Sequence, residues 1–460
     1  MSLNIIDNND VLKTSFSCKT EGKRFPLALI TVLLIVGVTI AYAHNTTPAP
    51  FLETLFTFYK IDPVTGAVLL NLTMSIIYPG IIIGSLWGTS LVERIGTRKL
   101  YLLALILVAA GILLTFVSGS EKFALYLVSR VLYGFGFGFT IPAIGAAIMT
   151  WYKPKARNFM TTFNAICPFI GAIACYSIFP IVALWYGKGN MLSGWQFGAG
   201  FTGFIVLAVL IVWILAVRKD VDLINVSKTE TLVPGNTDDE KQKGVFNWLL
   251  KIKEVRLIMI LFACDFLMYA YLATILPFWL MNAGNLPESK AGALAAIAFP
   301  VAGVIGALSG GIATNFLGRR KSIIVICQII KLAGLLITCL LSDQSYIFIF
   351  WGTILFGLGN GGWMPAMLLI PVELPGTNPA RVGGGFSLFL STGFVFGFIA
   401  PILGGVLTTA FANFSGLSET LSQINYGYKW SFFILSLSHI IAVVAAVMLR
   451  ETGPGRSSKQ

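Results

Sequence analysis

Three ionisable side chains stand inside long apolar runs of this 460-residue chain: Arg130, Asp265 and Lys331. A charge at membrane depth costs about 2.5–3.5 kcal/mol even on the mildest insertion scale, so each needs a partner or a task. Asp265 is the ninth residue of the run 257–281, about 12 Å from its start at the helical rise of 1.5 Å per residue. Tyr269 follows one turn later on the same face, within reach of a hydrogen bond. A carboxylate that can be neutralised can bind a polar ligand or carry a proton. The competing reading is a structural ion pair that fixes helix packing. Lys331 is the tenth residue of the run 322–341 and shares a face with Gln328.

Neutral polar groups in similar surroundings are Tyr42, Asn71, Asn164, Asn360 and Trp363. Each can hydrogen-bond a ligand or pair with a neighbouring helix. Asn360 stands out because it lies among Gly357, Gly359, Gly361 and Gly362, where a broken helix would free backbone groups to line a cavity. His44 can titrate near neutral pH, but its place at the end of an apolar run reads as an interfacial polar residue. With two histidines, six cysteines and no CxxC spacing, no metal, haem or other cofactor is expected. No G-x-x-x-x-G-K-[ST] motif or paired acidic cluster is present, and no nucleophile–base pair that would make an enzyme.

The elements that must position these residues follow from composition. The chain is 56% hydrophobic and 11% charged, with a mean hydropathy of +0.82. Water-facing domains carry about 25% charged residues, so the bulk of this chain faces lipid. Twelve runs are long enough to cross a bilayer as helices: 26–44, 67–87, 100–118, 123–149, 159–184, 196–217, 257–281, 291–314, 322–341, 346–370, 384–411 and 430–449. Unpaired backbone is not tolerated in lipid, so these are helices, numbered 1 to 12 here.

The expected organisation is a tail 1–24, six helices over 25–217, a linker 218–256, six helices over 257–450 and a tail 451–460. The linker is rich in charge, Ser, Thr, Asn and Gly. Its segment from Phe246 reads either as a short amphipathic helix or as the start of helix 7. The polar first 24 residues argue against a cleaved signal peptide and make helix 1 an expected signal anchor. A formal charge of +12 would point to nucleic acid in a soluble protein, but its distribution points elsewhere. Of 32 Lys and Arg, 25 fall on the side of the termini, five on the other side and two inside helices. The positive-inside rule therefore places both termini in the cytoplasm of a cell (inner) membrane, with lipid rather than nucleic acid as partner. Intramembrane prolines fall in helices 2, 4, 5, 7, 8, 10 and 11, which are expected to bend, while 3, 6, 9 and 12 should be smoother.

A basic, glycine-punctuated hinge occurs twice, between helices 2 and 3 and between helices 8 and 9. The first carries Gly88, Glu93, Arg94, Gly96 and Arg98; the second carries Gly311, Asn315, Gly318, Arg319 and Arg320. Gly96 and Gly318 are 222 residues apart, which makes the chain an internal duplication. The hinges resemble the G-x-x-x-D-R-x-G-R-R motif of the major facilitator superfamily of secondary transporters, over about residues 25–450. The first copy departs from it by a glycine one residue early and by Thr97 in place of an arginine. Helix 4 opens with Arg130, Gly134 and Gly136, similar to the R-x-x-x-G-x-G pattern of that family.

The resemblance implies an all-α membrane protein of two pseudo-symmetric six-helix bundles, working as a monomer by alternating access. It implies that helix 7 lines a central cavity, so Asp265 is the first candidate for solute binding or proton coupling, with Tyr269 and Asn360 beside it. It implies that Arg130 anchors an anionic group or tunes a proton site; the other reading is an arginine snorkelling to the headgroups. Helix 9 would be peripheral, which favours a buried partner or an uncharged amine for Lys331 over a ligand role. The hinges are expected to lock the inner face by pairing across the halves in the outward-open state. Glu93 makes the first the candidate gate, and Asn315 makes the second an orientation anchor. The implied function is uptake of a small organic solute or anion, with protons as the coupling ion. Degenerate G-P-x-x-G-G stretches at Pro168 and Pro401 keep efflux as an alternative, and a non-transporting receptor of the same fold is another. The arginines that nitrate porters place in helices 2 and 8 are absent, as are the sugar porters' P-E-S-P-R and the peptide porters' E-x-x-E-R-F.

Overall fold

The computed structural model describes residues 27–120, 122–152, 154–217, 247–373 and 379–453. The tail 1–24, residues 218–246 of the linker, the end of the tail 451–460 and the side chain of Glu93 lie outside the described residues. Twelve helices there are long and apolar enough to cross a bilayer, and they are the twelve read from the sequence. Helix 7 runs over Lys253–Gly284, and helix 12 begins at Thr420, ahead of its apolar run. The added turns carry Gln423, Asn425 and Lys429, which hydropathy cannot see as helix because they reach beyond the apolar slab. Residues 247–251 form a separate short helix, with Leu249 buried, and Ile252 in extended conformation divides it from helix 7.

The packing repeats with an offset of six. Helix 4 packs on helices 2 and 3, helix 1 on 5, and helix 6 on 3 and 5; helix 10 packs on 8 and 9, 7 on 11, and 12 on 9 and 11. Across the halves, helix 2 meets helix 11 and helix 5 meets helix 8. Small residues allow the closest of these contacts: a Cβ on Gly361 of helix 10 would stand 1.9 Å from the Gly303 carbonyl of helix 8.

Four helices are broken. Helix 2 turns at Ile76, helix 8 passes through a π turn at Ile297–Val301, and helix 10 turns at Trp363. Pro79, Pro300 and Pro365 sit at or just after these points and cannot donate to the preceding turn. Helix 12, expected to be smooth, also breaks, at Leu437 between Thr420–Ser436 and Ser438–Met448. Here Ser436 and Ser438 donate back to the carbonyls of Phe433 and Leu435, a competition with the helical ladder that bends helices without proline.

The two hinges share one face of the molecule. Gly96 and Gly318 both adopt positive φ, 82° and 59°, where a side chain would strain the backbone. Arg98 donates from Nε to the Val217 carbonyl at the end of helix 6, 2.7 Å away, and Trp213 donates to the Arg98 carbonyl. Arg320 pairs with Glu373 at 2.9 Å and donates to the Thr314 carbonyl, while its backbone N–H reaches Glu451 beyond helix 12. Arg94 and Arg319 are exposed. These contacts tie Arg98 and Arg320 to their own halves, whereas the pairing expected across the halves belongs to the outward-open state. In this conformation the halves meet on the other face, the one bearing Lys60 and Lys290. Thr54 donates to both carboxylate oxygens of Glu288, at 3.1 and 3.0 Å, Thr409 to the Val64 carbonyl, and Tyr176 to the Ala273 carbonyl. One apolar core runs through both halves, while helices 7, 9, 10, 11 and 12 build a separate core toward the hinge face.

Candidate functional site

Between the halves lies a cavity of about 140 Å³ walled by helices 1, 2, 4, 5, 7, 10 and 11. Most of its wall is aromatic: Tyr42, Tyr78, Phe137, Phe169, Phe262, Phe266, Tyr269, Trp363 and Phe394. Its other polar lining comes from Asn45, Asn360 and Asp265. The turn of helix 10 at Trp363 brings Asn360 and Trp363 to the wall together. Tyr269 packs at a tilt against its neighbours, its ring 5.8 Å from Phe266 and 5.4 Å from Phe299.

Asp265 is the one acidic group of that wall and is 2% exposed. Its Oδ1 lies 2.5 Å from Lys331 Nζ and 3.2 Å from His439 Nε2, and its Oδ2 accepts from Gln328 at 3.4 Å. The carboxylate thus turns to helices 9 and 12 rather than to Tyr269. Lys331 and His439 are each 0% exposed. Helix 9 is peripheral, as expected, yet the lysine stem is long enough to reach helix 7. The ammonium also sits 4.6 Å from the centre of the Trp363 ring, a favourable cation–π placement, so one cavity-wall residue touches the ion pair from the other side. Taking two charges out of water costs several kcal/mol per ion, recovered only with close geometry and further hydrogen bonds. Gln328 supplies a hydrogen bond, while the Nε2 of His439 and the Trp363 ring supply close contacts. The break at Leu437 starts a new helix at Ser438, placing His439 in its first turn beside helices 7 and 9.

Arg130 occupies a different place from either sequence reading. It is 0% exposed and so does not snorkel, and it does not line the cavity. Nε donates to the Thr73 carbonyl at 3.0 Å, Nη1 to His44 at 2.7 Å and Nη2 to Asn45 at 2.8 Å. The guanidinium fork caps the end of helix 1 and the carbonyls freed where helix 2 breaks. His44 is 1% exposed rather than interfacial, with Nδ1 3.0 Å from Thr47 Oγ1. Asn71 lies against Gly405 between helices 2 and 11, and Asn164 borders a small recess beside helix 1, away from the cavity. His439 is the residue that sequence reasoning passed over. Its signal was present, a histidine within the apolar run 430–449, but it entered only the histidine count that argued against a metal. Among the described residues, no group of His, Cys, Asp and Glu could hold a metal ion.

The model of the Major Facilitator Superfamily matches residues 33–380 and 258–460, together nearly the whole chain. The chain belongs to the Major Facilitator Superfamily. Its twelve membrane-length helices make it a multi-pass membrane protein. An uncharacterized protein of Campylobacter jejuni is 28% identical over 150 residues, 33% of this chain and 44% of that protein. The match to facilitated glucose transporter member 10 of Danio rerio is 25% identical over 346 residues, 70% of this chain and 63% of that one. D-xylose-proton symporter-like 1 of Arabidopsis thaliana is 30% identical over 118 residues, 26% and 22% of the two chains. These matches thus span less than two thirds of each relative. Among solved structures, a D-xylose-proton symporter superposes with a TM-score of 0.72 at 14% identity, over 93% of this chain and 98% of that one. A bacterial homologue of the human lysosomal transporter Spinster, inward-facing and unoccupied, gives 0.69 at 15%, over 93% and 97%. At such identities these likenesses speak for the fold alone.

Proposed function

We propose that this superfamily member is a proton-coupled symporter of a small, uncharged organic solute, with Asp265 as the group through which the proton couples. The observation that carries this reading is a carboxylate on the cavity wall whose buried partners, the Lys331 ammonium and the His439 imidazole, lie on other helices. Solute on one side and cations on the other can each change the proton affinity of that oxygen. No cationic side chain appears in the described lining, and Arg130 is spent on backbone carbonyls, which disfavours an anion. Aromatic faces with Asn45 and Asn360 between them suit a compact solute bearing both C–H faces and hydroxyls. The names of the relatives make D-xylose and D-glucose the first solutes to try, although P-E-S-P-R is absent.

In this reading the basic hinge face is cytoplasmic, by the charge bias of 25 against five. The face joined by Thr54 and Glu288 is then external, and the conformation described is closed outward. Alternating access exchanges that seal for one on the hinge face. The test is uptake by proteoliposomes under an inward proton gradient, with labelled D-xylose and D-glucose and then a wider set of polyols and amino acids. The wild type should accumulate a solute. Asp265→Asn should lose accumulation while keeping exchange; full accumulation by that variant overturns the assignment.

A further inference from the structure

Asp265 has a second buried base behind it. His439 is 0% exposed, its Nε2 is 3.2 Å from Asp265 Oδ1 without hydrogen-bond geometry in this conformation, and its Nδ1 likewise has no hydrogen-bond partner. A buried imidazole nitrogen without a partner forfeits the hydrogen bond it would have in water. Such a group is retained at a cost, and its position beside the one acidic residue of the cavity wall gives it a use. We propose that His439 is a second proton-binding site, which takes the proton that Asp265 receives from the cavity and holds it behind the wall.

This deepens the coupling role of Asp265 proposed above and rests on it. The step is a simple exchange. Neutral His439 with its proton on Nδ1 presents the Nε2 lone pair to Asp265 Oδ1. A proton arriving on Oδ1 crosses to Nε2: the O–H bond breaks, the N–H bond forms, the carboxylate is restored and the imidazole becomes imidazolium. The trio carries one net positive charge before and after, but the charge moves from a cavity-facing site to one that the cavity does not touch. The restored carboxylate then faces two cations, Lys331 at 2.5 Å and His439 at 3.2 Å, which is what stabilises the product. The groups facing His439 are few. Helix 7 contributes Asp265, helix 9 contributes Lys331, and helix 10 turns the Phe356 ring toward it, 5.9 Å between centroids. Asp265 is the only anion among those described, so it alone favours an imidazolium there.

The chain has two histidines, which makes the test direct. Protein labelled with nitrogen-15 histidine, reconstituted in nanodiscs, should give two imidazole spin systems, assigned by His44→Gln. The expected result is an imidazolium population at His439 that grows as pH falls from about 8 to about 5, the range in which an imidazole titrates. In Asp265→Asn that population should fall at least about tenfold at a given pH, since an opposite charge within contact distance is worth one proton-affinity decade or more. A His439 that stays neutral across the range, or one whose titration ignores Asp265→Asn, overturns the proposal. The arms separate the two ideas. Asp265→Asn that loses accumulation while His439 never charges removes His439 and leaves Asp265; Asp265→Asn that accumulates normally removes the reading of Asp265 itself.

Discussion

Replacing Asp265 with Asn, Lys331 with Met, and both together should reveal an asymmetry that follows from who remains after each change. In Asp265→Asn the buried ammonium keeps the Trp363 face, but no other described anion stands against it. It must stay charged without a counter-ion or give up its proton. From an ordinary lysine pKa of about 10.4, discharging it at pH 7 costs about 5 kcal/mol, close to the 3–5 kcal/mol seen when buried pairs are broken. In Lys331→Met the carboxylate retains His439 at 3.2 Å and Gln328 at 3.4 Å. Charging a histidine of ordinary pKa near 6.5 at pH 7 costs only about 1 kcal/mol, so His439 can replace the lost cation. The single lysine change should therefore cost about 1–2 kcal/mol and the single aspartate change about 3–5 kcal/mol. The double change removes both charges and should lie closer to wild type than Asp265→Asn, giving a coupling of about 2–4 kcal/mol. Melting followed by tryptophan fluorescence in one detergent, at fixed protein and lipid, orders the four proteins. Equal costs for the two single changes, or additive costs in the double, would refute the picture of a closed trio with His439 as the spare cation.

Other consequences are simpler to read. Arg130→Lys keeps the charge but loses the planar fork that reaches three carbonyls, so it should lower stability by about 2–4 kcal/mol while leaving solute affinity of the folded fraction unchanged; a changed solute affinity with an unchanged melting temperature would return Arg130 to the binding site. Thr54→Val leaves both oxygens of Glu288 without their donor, at a cost of about 1–3 kcal/mol, or about 5- to 150-fold toward opening of that face. Spin labels on Lys60→Cys and Lys290→Cys should then move apart, and an unchanged distance distribution would show that the clasp is not limiting.

Much of the architecture could be read in advance because lipid makes strict demands. A helix must be apolar for the thickness of the bilayer, so the runs announced themselves, and only the polar turn ahead of helix 12 escaped. The hinge glycines were legible for a related reason: positive φ at Gly96 and Gly318 leaves few alternatives to glycine. Asp265, Tyr269 and Asn360 were legible as wall residues through the resemblance and through their polarity at depth. The partners were not. Arg130 is held by three backbone carbonyls, and every residue carries one, so no side-chain pattern could forecast them. His439 depends on a break made by two serines rather than a proline, and on register between helices 7, 9 and 12. The charge of the hinge arginines was visible, while the Val217 carbonyl and Glu373 that contact them in this conformation were not.

The most direct test of proton coupling through Asp265 is proton movement itself. Proteoliposomes enclosing a pH-sensitive dye, with no imposed gradient, are mixed with D-xylose, with D-glucose or with each member of the wider solute set. The account predicts that a transported solute acidifies the lumen of wild-type vesicles, and that Asp265→Asn vesicles equilibrate the same solute without acidification. Entry of solute into wild-type vesicles with no change in luminal pH, or equal acidification by the variant, would contradict it.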